Sequence, residues 1–111
     1  MTGVSLTDLA DAQSALARAA SSGRSAHTVY GGRAHALRQT LIALAAGHGL
    51  ADHESPGDAT LHVLRGKVRL TTADGQWVGG AGDHVAIPAE RHGLVALEDS
   101  VVLLTVVAQP T

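Results

Sequence analysis

The chain has 111 residues, enough for one domain with a modest core. Its net charge is −2 with neutral histidines, and its eight Lys and Arg are scattered, so it has no basic footprint for nucleic acid or an anionic membrane. The absence of cysteine excludes disulfides and thiolate metal sites, and no apolar run reaches the roughly 18 residues of a membrane span.

The first element read along the chain is a helix from about Leu6 to Ala20, opened by Ser5 with Asp8 three residues on and closed by Ser21-Ser22-Gly23. Leu9, Ala12, Leu16, Ala19 and Ala20 recur at helical spacing, a narrow Ala-rich stripe that must lie on another layer. From Gly23 onward the pattern changes to short extended segments parted by turns. Ala26 to Tyr30 ends at Gly31-Gly32, Leu37 to Ala45 ends at Gly47-His48-Gly49, and Leu50 to Ser55 ends at Pro56-Gly57-Asp58. Ala59 to Leu64 and Lys67 to Thr72 flank Arg65-Gly66. Gln76 to Val78, His84 to Ile87, His92 to Ala96 and Ser100 to Val107 follow, each after a Gly-, Pro- or Asp-containing turn.

Strands this short and regularly spaced predict an all-β sandwich or barrel. The core chemistry agrees: there is no Phe, one Trp and one Tyr, and Val, Leu and Ala do the filling. Side chains of that size suit a narrow β interior. The expected organisation is an N-terminal helix and connection over residues 1–24 and a β domain over 25–111. With no basic segment and apolar stretch at the N-terminus, a soluble cytoplasmic protein is expected.

Seven histidines, at positions 27, 35, 48, 53, 62, 84 and 92, are the one compositional feature that points toward chemistry. No other chemistry competes. The Gly31-Gly32 and Gly79-Gly80 pairs do not precede a helix that could cradle phosphate, and there is no Gly-x-Ser-x-Gly elbow. One Trp and one Tyr cannot make a base-stacking platform.

Two stretches carry a resemblance to a known family. Gly47-His48-Gly49-Leu50-Ala51-Asp52-His53-Glu54-Ser55-Pro56-Gly57-Asp58-Ala59 runs on to Val63-Leu64-Arg65-Gly66, a hairpin closed by glycine. Gly82-Asp83-His84-Val85-Ala86-Ile87-Pro88-Ala89-Glu90-Arg91-His92 combines a Gly-Asp turn, an Ile-Pro step and a His opening the next strand. From Leu37 to Val107 the chain thus resembles the cupin superfamily, most closely its small single-domain bacterial members. The resemblance implies a cupin, or double-stranded β-helix (jelly-roll), barrel of six to eight antiparallel strands preceded by one α-helix. The loop before His92 is one residue shorter than the family's usual spacing and lacks its Gly.

The same resemblance implies a metal site of three His and one Glu, suited to Zn, Ni, Fe or Mn. His53 and His92 fall on two of those four positions, while Ser55 and Ala59 stand where a His and a carboxylate belong. Alternation of side chains points His62 away from the interior if Ala59 points in. A bulge at Pro56-Gly57 that reset the parity would instead make His62 or Asp58 a substitute ligand. Ser55, Ala59, His62 and Arg91 are the candidate ligand-binding residues, and His53 and His92 the candidate metal ligands. Three readings stay open: a cupin of unassigned activity binding a small molecule and a divalent metal, a metal-free binding or sensing module, and a structural barrel. A homodimer formed through edge strands, without nucleic-acid or membrane partners, is expected.

Overall fold

The computed structural model describes residues 1–54 and 57–108. Helix α1 spans Leu6–Ala19. Ser5 caps it, its hydroxyl accepting from the Asp8 amide at 3.1 Å, and the chain leaves through extended Ala20 and a left-handed Gly23 (φ +68°). The buried stripe is Ala10, Gln13 and Ala17, with Leu6 and Leu9 beside it, whereas Leu16 is exposed. This shifts the helix about its axis from the predicted Leu9–Leu16 stripe. The polar Gln13 lies on the buried side because its side chain is hydrogen-bonded to the Ser25 hydroxyl, a pairing invisible to a hydrophobic pattern.

Nine strands follow among the described residues, one more than the upper end of the expected range. They are β1 (Arg24–Tyr30), β2 (Leu37–Leu44), β3 (Gly49–His53), β4 (Ala59–Arg65) and β5 (Lys67–Thr72). Then come β6 (Gly75–Gly80), β7 (His84–Ala86), β8 (His92–Ala96) and β9 (Ser100–Val107). All pairings are antiparallel. The strands form two sheets, ordered β1-β2-β9-β4-β7 and β3-β8-β5-β6, with no ladder joining them among the described residues. Apart from β1-β2 and β5-β6, neighbours in the sheets are distant in sequence, which is the jelly-roll arrangement.

The main core lies between the sheets: Ile42, Leu44, Leu61, Val63 and Val102 from the larger one meet Val68, Leu70, Leu94 and Ala96 from the smaller. A second cluster lies on the other side of the larger sheet, where Leu41, Ala43 and Val101 are covered by Ala10 and Ala17 of α1. The run Leu41-Ile42-Ala43-Leu44 is therefore buried on both faces, with all four residues 7% exposed or less, which accounts for its unbroken apolar sequence. Gly66, which closes the β4–β5 hairpin, sits at φ +80° with the Asp99 carbonyl and Ser100 where a Cβ would stand. Ser100 holds the same corner: its buried hydroxyl accepts from the Lys67 amide at 3.0 Å and lies 2.8 Å from the Glu98 carbonyl.

Candidate functional site

His53 ends β3 and His92 begins β8, and the two are register partners in the smaller sheet. The ladder is irregular between them and the next pair. Leu50 faces Leu94 and His53 faces His92, so three steps along β3 match two along β8. Strict alternation would send Leu50 and His53 to opposite faces. The irregularity resets the parity, and both side chains line the same cavity between the sheets. Asp52, displaced to the other side, holds its carboxylate over Gly93. The bulge that brings His53 inward is thus at Ala51-Asp52, while Pro56 lies outside the described residues.

The imidazoles are tilted at 59° with centroids 4.6 Å apart. His53 Nδ1 lies 3.0 Å from the Ala51 carbonyl, and His92 Nδ1 lies 2.9 Å from the Glu90 carbonyl. A carbonyl only accepts, so each Nδ1 donates, and in the neutral imidazole each Nε2 keeps its lone pair. Backbone carbonyls are common outer partners of metal-binding histidines, because they fix both the tautomer and the ring orientation. His92 is 4% exposed and His53 is exposed, so the pair sits at a mouth rather than deep in the core. Behind it, Ile42, Leu50, Leu61, Leu94 and Leu104 close the cavity down to about 20 Å³ for the centre of a water-sized guest. That is room for about one water molecule, and far below the ~300 Å³ or more of a typical organic-ligand site.

The other predicted residues do not converge on this pair. Ala59 is buried on the inner side of β4 with Leu61 and Val63, and its methyl group offers no lone pair. The parity of β4 is not reset before His62: it lies on the outer side with Leu64, opposite Leu103 and His84. The ladder irregularity of β4 falls later, between Val63 and Arg65. His62 therefore follows the strict alternation and lies on the outer face, and of the two expected placements the interior one is not the one observed. Asp58 is exposed in the loop, its carbonyl accepting from the Val107 amide. Arg91 is exposed beside His92 and does not line the cavity. Ser55 lies outside the described residues. Among the described residues, no group of three or more His, Cys, Asp or Glu stands close enough together to hold a metal.

The remaining histidines have structural settings. His48 packs over Gly23, His35 lies 5.1 Å from the Tyr30 ring centroid, and His27 is exposed on β1.

No protein-family model matches the chain, and no curated protein matches it in sequence. Solved structures do. A cupin superfamily protein from Desulfitobacterium hafniense superposes with a TM-score of 0.71 at 17% identity, covering 78% of each chain. An RmlC-like cupin from Shewanella frigidimarina gives 0.70 at 20% identity over 81% of this chain and 78% of the other. This chain has the cupin fold. A conserved protein of unknown function from Streptococcus pyogenes is similar as well, with a TM-score of 0.73 and 27% identity over 83% of this chain and 80% of that one. In the cupin frame, the pair formed by His53 and His92 is the part of the interior whose chemistry is not simply hydrocarbon. Ile42, Leu61 and Leu104 of the larger sheet form the wall that faces it.

Proposed function

We propose that this small cupin-fold protein, whose activity is unassigned, uses His53 and His92 to bind a divalent transition metal and, through it, a small polar ligand. One observation carries this reading: both imidazoles donate through Nδ1 to backbone carbonyls, so both Nε2 lone pairs are left for the cavity that the rings line. The donor set fits an ion that accepts imidazole, such as Zn, Ni, Fe or Mn. It supplies two protein ligands rather than the three or four of ordinary sites, so binding is expected to be weak and the remaining coordination positions open. Such an ion, when bound, supplies Lewis-acid polarisation of a coordinated oxygen. The chain's own contribution is to orient both rings and to present an apolar wall behind them.

The metal-free alternative, in which an apolar molecule fills the interior, has less support, because the cavity accepts about one water-sized guest. Metal analysis after loading with Zn, Ni, Fe or Mn and removal of excess tests the proposal. The wild-type chain is expected to retain metal, and His53→Ala and His92→Ala to lose it. Retention below about a tenth of an equivalent by the wild type, even at the low affinity of an incomplete shell, or equal retention by the variants, would overturn it.

A further inference from the structure

A second concavity opens where the free edges of the two sheets, β6 and β7, diverge. It has a volume of about 240 Å³, against about 20 Å³ for the histidine cavity, and Leu70 is the one residue that lines both. Trp77, the only tryptophan of the chain, projects from β6 toward the inner side, where Gly79 leaves the space its ring occupies. Val85, Ala86 and Pro88 form the facing wall and Asp74 stands at the rim. The lining holds no Lys, Arg or His, and the Asp74 carboxylate has no hydrogen-bond or ion-pair partner among the described residues.

An indole wall attracts cations through its quadrupole and apolar bodies through its area. A single carboxylate at the rim adds the same preference for positive charge, and no basic group of the lining cancels it. An anion would meet like charge, and a neutral molecule would leave the carboxylate unused. We infer that the Trp77 groove is a binding site for a small organic ammonium ion, an amine whose apolar body lies against the indole and Val85 while its charged end faces Asp74. The volume limits the guest to something smaller than a typical drug-sized ligand. The site is independent of any metal on the histidine pair.

Because Trp77 is the sole indole, its fluorescence reports on this groove alone. The 111-residue chain, stripped of metal with chelator, is titrated with benzylamine, benzyl alcohol and benzoate at neutral pH. Benzylamine is expected to change the emission saturably, with a dissociation constant of about millimolar as suits so small a ligand. Its preference over benzyl alcohol is expected to be about fivefold, the scale of an exposed charge pair with a cation–π contribution, and benzoate should bind most weakly. Asp74→Asn should reduce the preference for the amine while keeping the emission of the free protein, and His92→Ala should leave amine binding unchanged. No saturable change up to about 20 mM amine, a twentyfold excess over the expected constant, would overturn the assignment. So would equal affinity for benzyl alcohol, or an undiminished preference in Asp74→Asn.

Discussion

His53 and His92 stand opposite one another in the β3–β8 ladder with ring centroids 4.6 Å apart, and each is locked through Nδ1 to a carbonyl two residues before it. The two rings are thus oriented by their own strands before any ligand arrives. An arrangement set in advance loses less freedom on binding than one assembled by the ligand.

The first consequence concerns which histidines matter. His53→Ala and His92→Ala should each weaken metal binding by at least about tenfold, because removing one of only two imidazoles leaves a single donor. His62→Ala should leave it unchanged, since His62 lies on the outer side of the larger sheet. Isothermal titration with Zn or Ni separates the three variants. Acidification should release the metal, because a protonated imidazole has no lone pair to give.

The two clusters of apolar residues differ from the one ion pair among the described residues in what they contribute. Leu41 is fully buried between α1 and the larger sheet, so Leu41→Ala should cost about 2–4 kcal/mol in chemical denaturation. Arg65 and Asp11 meet at 2.7 Å, but their side chains are 40% and 66% exposed. Solvent screening leaves such a pair little net value, and Asp11→Ala should cost under about 0.5 kcal/mol.

Gly66 tests the hairpin. At φ +80°, with the Asp99 carbonyl and Ser100 beside its α-carbon, it tolerates no side chain without backbone movement. Gly66→Ala should destabilise by about 1–3 kcal/mol, through left-handed strain added to a steric clash. Gly75 has open space around it and no positive φ, so Gly75→Ala should be within about 0.5 kcal/mol of the wild type. Thermal denaturation of the two variants gives the comparison.

Self-association is the last expectation. β1 is the free edge of the larger sheet, and exposed Tyr30, Leu37 and Val107 lie at one end of it, with Leu37 and Val107 in register. Sedimentation at micromolar concentration is expected to give a homodimer, and Tyr30→Asp combined with Leu37→Asp a monomer with little change in thermal stability. A wild-type monomer removes the dimer reading.

The jelly roll was legible from residue order because its signals are local. Gly31-Gly32, Gly47, Gly66, Ala73-Asp74-Gly75 and Gly82-Asp83 mark the turns, and the segments between them became strands with bounds shifted by two residues at most among the described residues. Ser5 was readable as a cap for the same reason: its partner is three residues away. The helix stripe was not, because Gln13 is held by Ser25 across the fold. A hydrophobic pattern assigns a polar residue to solvent, whereas a distant hydrogen bond can bring it inside.

By itself, then, the sequence determined the succession of short strands and turns, and the presence of His53 and His92 with Ala59 in place of a carboxylate. The tertiary structure decided which way those side chains face. Alternation along a strand has period two, so one irregular step exchanges inside for outside. The step on β3 brings His53 in beside His92, and the absence of an early step on β4 keeps His62 out. It also decided that Trp77 and Asp74 border one groove with Val85, because only sheet packing brings the β6 and β7 edges together.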